Sequence, residues 1–392
     1  MKTAVSSSGP HSLPHPNLIT QVATNMVVKG AKGRNKGSRK GAVSVLEEAK
    51  RARMQQQLIV DVFKSAFDQA LSSKTFTSTL QTVKQALFER DFARAFGDDE
   101  YLAVYAARYS PTRALCYAAV LNNIWEHLAD ICLPSSPASN TIRGGNTEPQ
   151  PPALKILSFG GGAAELVAFA AFLNQHQHDS PPLAGSINNL DSAAWGPVIT
   201  SLETTLTTGS PLLPDPSTIG TPSSSTTTVA ATAPLIPASH LTSIFTLQDA
   251  LTLSRSELAA LLGPSPLLVT LLFTLNELFT SGGLGRTTKF LLDLTAAVPI
   301  GSLLLVVDSP GSYSETTLGK DAKKYPMQWL LDRIVLTGTR ADPVAGKRWD
   351  KLESDDSLWF RLADGLDYPI PLENMRYQMH LYQAEAAPAG KD

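Results

Sequence analysis

Cysteine is nearly absent from this 392-residue chain: there are two, Cys116 and Cys132, in apolar sequence of helical period. Two thiols make no disulfide framework of the secreted kind, and a zinc site would want more Cys or a His at ligand spacing. They read as core thiols in a reducing compartment, and no metal is expected. The one close histidine pair, His176 and His178 in NQHQHD, reads as a solvated loop. Charge is also sparse, 17% of residues with a formal net charge of −2, so the chain as a whole is not a basic polymer that coats nucleic acid. Long apolar runs are missing. The stretches near 163–173 and 267–275 are too short or too interrupted to span a bilayer, so no membrane partner is expected. No apolar run follows Met1, which argues against a secretory signal, and the early basic residues are bunched among glycines, which spoils an amphipathic presequence. GxxxxGK[ST] and GxSxG are absent, which removes P-loop and hydrolase-elbow chemistry. The expectation is a soluble intracellular protein, read as a monomer.

What is present is unevenly distributed. Residues 1–40 hold seven Lys and Arg and no acid, leaving 26 basic against 35 acidic residues in the remainder, a formal −9. A basic arm on an acidic body is a partner-binding pattern. Its run KGAKGRNKGSRK, with Lys32, Arg34, Lys36, Arg39 and Lys40, suits phosphate contact by counterion release or a nuclear address. Residues 1–42 are expected to be disordered. From 43 the apolar residues recur at three- and four-residue spacing, predicting a helical segment and loop over 43–152, with a break at Ser110-Pro111.

At Leu154 the pattern changes to a short apolar strand, LKILSF, three glycines, and the apolar helix AAELVAFAAFL. Strand, glycine turn and helix open a doubly wound sheet. Strand-like runs follow at 185–191, 240–248, 267–275 and 301–308, and two β-rich pieces close the chain. The predicted class is α/β, with a Rossmann-like, mostly parallel seven-stranded sheet over 153–385 and a tail at 386–392. A nearly chargeless Ser/Thr/Pro-rich stretch, about 204–236, is expected to be a disordered insertion.

The chemistry is expected at the strand ends. Gly160, Gly161 and Gly162 let the backbone approach a nucleoside cofactor closely, although their spacing is not the GxGxxG of dehydrogenases. Asp191, 31 residues after Gly160, ends the second strand, where an acid accepts from ribose hydroxyls or caps the next helix. Gln248 and Asp249 end the third, for adenine contact or capping. Asn276 and Glu277 close the fourth and Asp308 the fifth. A glycine turn followed by an acid suits S-adenosylmethionine, which has no pyrophosphate for a helix to hold.

The runs KILSFGGGAAELVAFAAFL, SAAWGPVI, FTLNELF, LLLVVDSPGSYSE, YPMQWLLDRIVL and LENMRYQMHLYQ resemble the fungal large-subunit (25S) ribosomal RNA uridine-N3 methyltransferases. The likeness covers roughly 45–132 and 153–383. It implies a methyltransferase core, S-adenosylmethionine held at Gly160–Gly162, Asp191, Asp249 and Asn276, and no metal. It also implies an rRNA or pre-ribosomal substrate and work in ribosome biogenesis in the nucleus or nucleolus, with the cytoplasm open. For a uridine N3 target, Glu277, Asp308 and Asp249 are candidate bases and Tyr313 a partner for the flipped uracil. Arg108 and Arg113, beside Tyr109 and Tyr117, are candidate RNA or cofactor contacts, and Arg361 and Arg376 are similar cases. Two rivals stand beside this reading: a protein or small-molecule methyltransferase, and a non-catalytic RNA-binding scaffold that kept the fold.

Overall fold

The computed structural model describes residues 38–134, 152–209, 233–311, 315–318, 323–338 and 344–387. Tyr313 and the arm residues Lys32, Arg34 and Lys36 lie outside this set, and Arg39 and Lys40 are described only as helical backbone. The first helix, α1, spans Ser38–Ala66 and so begins inside the stretch expected to be disordered. It is followed by α2 (Phe76–Phe88), α3 (Asp99–Asn123) and α4 (Trp125–Ile131). The break expected at Ser110-Pro111 does not occur, because α3 runs through it. An interior proline forfeits one backbone bond, at a cost of about 3 kcal/mol. Here both Ser110 and Pro111 are buried, and fifteen residues of α3 are buried in all, so packing holds the helix through the proline.

The sheet follows as β1 (Pro152–Phe159), α5 (Ala163–Gln175), β2 (Ala184–Asp191), α6 (Gly196–Thr208) and β3 (Leu241–Leu247). Beyond it come α7 (Arg255–Leu262), β4 (Leu268–Leu272), α8 (Leu284–Ala297), β5 (Leu303–Asp308) and α9 (Met327–Asp332). A long hairpin, β6 (Lys347–Phe360) and β7 (Met375–Ala386), closes the fold. The strand order is β3-β2-β1-β4-β5-β7-β6. All neighbours from β3 to β5 are parallel, while β7 runs antiparallel to both β5 and β6. Of these seven strands six point one way and one is reversed, as the mostly parallel expectation requires, and a two-residue strand, Leu133–Pro134, adds an eighth antiparallel to β1.

Strands β4 and β5 are buried along their whole length, which explains why they read as unbroken apolar runs rather than alternating ones. Alternate residues feed two cores. Leu154, Ile156, Leu303 and Leu305 join a core covered by α1–α6, whereas Leu157, Phe159, Leu304 and Val306 join one covered by α7–α9. The helical segment and the sheet thus share one core. The chain divides into two contact units, Met1–Ala52 and Arg53–Asp392, and the second holds all of the sheet.

The expected insertion is shorter at both ends than its composition suggests. Thr204–Thr208 complete α6, and Ile236 is fully buried with its N–H donating to the Leu206 carbonyl at 3.2 Å. Residues 210–232 lie outside the described set. His176 is likewise no solvated loop residue. It caps α5 with its ring 4.2 Å from Trp125 and 4.8 Å from Phe172, and its Nδ1 is 2.8 Å from Asp179. Both cysteines are free, Cys116 buried and Cys132 partly so. Among the described residues no helix is long and apolar enough to cross a membrane, and no cluster of three His, Cys, Asp or Glu could hold a metal ion.

Candidate cofactor and substrate site

Strand order reverses between β1 and β4, whose chain neighbours leave to opposite sides, and a crevice opens at their carboxyl ends. Gly160 and Thr274 meet there. Gly160 has φ +69°, and a Cβ on it would fall 2.2 Å from Thr274 Oγ1. A side chain is therefore refused on both conformational and steric grounds. A Cβ on Gly162 would press on the Trp195 ring at 3.1 Å, and one on Gly161 would strike Asn189 and Ser158. The turn is a cradle that only glycine leaves open. Gly162 N–H donates to Glu165 Oε2 at 2.8 Å, tying the turn to the first helical residues of α5.

A cleft of about 510 Å³ lies over this turn, within the range of small-ligand sites. Its floor holds Gly160, Gly162, Glu165, Asp191, Gln248, Asp249, Thr274 and Glu277. Its other wall comes from the helical segment: Phe92, Phe96, Tyr105 and Arg113. Phe96 packs edge-on against Tyr105 at 5.0 Å, and Tyr105 against Trp195 at 5.8 Å. Such pairs each contribute about 0.5–1.5 kcal/mol beyond burial, which fixes the wall on the floor.

Asp191 does not cap a helix. Helix α6 starts later, at Gly196, and Asp191 Oδ1 instead accepts from Ala193 N–H at 2.6 Å. Asp249 serves as a cap, accepting from Leu251 N–H at 2.8 Å, while its other oxygen takes Arg286 at 3.2 Å. Phe273, at the mouth of β4, has φ +57°, a strained conformation for a bulky residue that tends to mark functional sites. Its N–H donates to Val307 O at 2.7 Å. The Arg113 guanidinium lies 5.0 Å over the Phe273 ring and donates to the Tyr105 hydroxyl at 2.5 Å.

Three carboxylates line the cleft, Glu165 buried and Asp191 and Glu277 half-buried, and Arg113 acts on Glu165 and Glu277. Burial pushes Glu165 up to about 7, against the Gly162 N–H and Arg113 that pull it down. Burial lifts Asp191 to about 6, against the Ala193 N–H and Trp195. Glu277 reaches about 7 through burial and the repulsion of Asp191. Burial opposes the charge on Arg113, but Tyr105, Tyr117 and Glu165 raise it further above its ordinary value. The cleft is thus short of positive charge, a donor set suited to a cationic ligand.

Not every expected residue lines the cleft. Asp308 is buried behind it with both oxygens engaged, Oδ2 by Asn276 N–H at 3.0 Å and Oδ1 by Ser309 N–H at 2.7 Å. It fastens the ends of β4 and β5. Asn276 is absent from the lining, with its side-chain oxygen buried and unpartnered among the described residues. Arg108 turns away to pair with Glu373 at 2.5 Å. The residues that sequence reasoning passed over are Glu165, Phe96, Tyr105, Trp195 and Phe273. Glu165 had a legible signal, an acid three residues beyond a glycine that begins a helix. The aromatic wall had none, because its members are far apart in sequence.

The raised carboxylates fix a pH dependence. In the ligand-free protein they hold protons up to pH 6–7, whereas the unfolded chain loses them near 4. Their contribution to stability is full below pH 4 and is lost as pH rises towards 7. The thermal midpoint is expected to fall on the order of 5 °C between pH 5 and 7.5, with the fall reduced in Glu165→Gln. A midpoint that rises over this window in both proteins would contradict the assignment.

The sheet order, the glycine cradle at its switch point and the acid ending β2 define a methyltransferase fold of the Rossmann-like class. The Methyltransf_34 model of SAM-dependent methyltransferases matches residues 63–383, and the chain belongs to that family. A 25S rRNA (uridine(2843)-N(3))-methyltransferase of Saccharomyces cerevisiae is 32% identical over 350 residues, covering 83% of this chain and 85% of the relative. Among solved structures, a SAM-dependent methyltransferase of Methanosarcina mazei is 10% identical with a TM-score of 0.29, over 59% of this chain and 92% of that one. A 16S rRNA (adenine(1408)-N(1))-methyltransferase of Catenulisporales acidiphilia is 14% identical with a TM-score of 0.29, over 60% and 89%.

Proposed function

We propose that this methyltransferase acts on N3 of a uridine in large-subunit ribosomal RNA. The observation that carries the reading is Glu277, a half-buried carboxylate brought to about 7, lining the same cleft as the glycine cradle and Asp191. The 32% identity to the yeast uridine-N3 enzyme supports the choice of atom. When bound, S-adenosylmethionine supplies a methyl group on a sulfonium for in-line transfer. The cradle left open by Gly160 and Gly162 and the acidic lining fit it: Asp191 would accept from its ribose hydroxyls, and Gln248 and Asp249 would face its adenine. Glu165 would stand near the methionine ammonium.

The substrate side is assigned to Phe273, Arg113 and Glu277. A uracil taken out of its stack would lie against the Phe273 ring. Its N3 carries a proton that must leave, and Glu277 would accept it. The negative charge then spreads onto the flanking carbonyl oxygens, where Arg113 would donate hydrogen bonds in a site of low dielectric. The basic run 29–40 would hold RNA phosphates or address the enzyme to the nucleolus. We read the enzyme as a monomer working on free rRNA or a pre-ribosomal particle.

The test is transfer of labelled methyl to an unmodified large-subunit rRNA transcript, followed by digestion and chromatography of the nucleosides. Label in 3-methyluridine is expected. Label in another nucleoside, or only in protein, would overturn the reading of the substrate.

A further inference from the structure

At the far edge of the sheet from the glycine turn, Trp359 presents its indole to solvent with 51% of its surface exposed. Two exposed arginines lie over it: the Arg361 and Arg376 guanidinium carbons are 5.5 and 5.9 Å from its ring centroid. Trp359 and Arg376 are direct cross-strand partners on β6 and β7, and Arg376 Nε donates to Ser357 Oγ at 2.8 Å, fixing that guanidinium. The neighbours Leu358 and Phe360 pack inward on the core, so the outward indole is not there for want of a partner on its own strand. Among the described residues neither Arg361 nor Arg376 forms a salt bridge; the exposed Asp355 and Asp356 stand further back along β6.

The position is what gives this patch meaning. Because β6 runs parallel to β4 and β5, Trp359 sits at the carboxyl end of the sheet, the same end as the catalytic cleft. Three strand spacings separate β6 from β4, about 14 Å. The segment beyond Trp359 is held firmly: Tyr368 donates to Ala107 O at 2.6 Å and Arg53 to Gly365 O at 2.5 Å. The patch is therefore a fixed surface and not the tip of a loose loop.

We propose that Trp359, Arg361 and Arg376 form a stacking platform for single-stranded RNA flanking the target nucleotide. A base stacks on the indole or on a guanidinium plane laid over it, and the guanidinium edges take the adjoining phosphates. Two guanidiniums at the indole, neither in a salt bridge among the described residues, suit a polyanionic strand. The proposal rests on the RNA reading above and adds the surface by which the strand is gripped.

The test compares the full-length protein with Trp359→Ala, Trp359→Phe and the double variant Arg361→Gln with Arg376→Gln. Binding of a fluorescein-labelled oligouridylate is followed by anisotropy, and methylation is measured on the large-subunit rRNA transcript. Trp359→Ala is expected to raise the KM for RNA about 10-fold, with kcat at saturating RNA and the affinity for S-adenosylmethionine retained. Trp359→Phe should keep most of the affinity, and the double variant should flatten the salt dependence of oligouridylate binding. Unchanged KM and salt dependence in all variants would overturn the proposal. So would a defect confined to the pre-ribosomal particle with naked RNA unaffected, which would assign the patch to a protein. Failure of the unaltered protein to bind RNA at all, with S-adenosylmethionine bound normally, would instead remove the RNA reading beneath it.

Discussion

Replacing Glu277 by glutamine is expected to lower kcat about 10³-fold while leaving the affinity for S-adenosylmethionine within a few-fold. The amide keeps the shape of the side chain and cannot accept the proton of a uridine N3. In the parent enzyme kcat should rise with pH as Glu277 ionises near 7 and then level off, because only the carboxylate form is competent. The variant should lose that limb. Asp308→Asn is the informative contrast. Asp308 spends both oxygens on Asn276 and Ser309 N–H groups, so its replacement should loosen the β4 and β5 ends and lower stability while the pH limb persists. Full activity in Glu277→Gln, or loss of the limb in Asp308→Asn alone, would move the base from one residue to the other.

Asp191→Ala is expected to weaken S-adenosylmethionine about 100-fold, measured by calorimetry. A net loss of about 1.5–3 kcal/mol, the contribution of a hydrogen bond to a charged acceptor, accounts for this. Because burial holds Asp191 at about 6 in the free protein, binding should strengthen as pH rises from 5 to 7. It should also release protons near pH 6. Asp191 also accepts from Ala193 N–H, so a disturbed turn must be separated from a lost ligand contact. Asp191→Asn retains an acceptor for that turn. If the asparagine variant binds as tightly as the parent, charge at Asp191 is not what holds the ribose.

Much of this architecture was legible because it depends on local patterns. Unbroken apolar runs located β1, β4 and β5, since strands buried on both faces need no polar alternation. The glycine turn and Asp191 were readable because one residue type alone satisfies the turn and the acid ends its strand. The misreadings share a cause, which is tertiary packing overriding a local rule. Pro111 breaks isolated helices, yet α3 runs on because its neighbours bury it. Thr204–Thr208 look like the start of a polar insertion, yet they finish α6. His176 looks like part of a loop, yet Trp125 and Phe172 enclose it. Asp308 was placed correctly at a strand end, but the sequence did not say that backbone amides would occupy both its oxygens. Asn276 is likewise absent from the cleft lining, and Arg108 pairs with Glu373. The aromatic wall was invisible because Phe96, Tyr105, Trp195 and Phe273 meet only once the sheet has formed.

That wall has a consequence for biosynthesis. The roof of the cleft is translated before its floor, and ninety residues separate Tyr105 from Trp195, against which it packs. At about 5–20 residues per second, the roof waits roughly 5–20 s for that partner, and longer for Phe273. Throughout that interval Tyr105 has only Phe96 and Tyr109 of its own segment to pack on. The cleft therefore comes into being late, once the sheet residues that face the helical segment have been made.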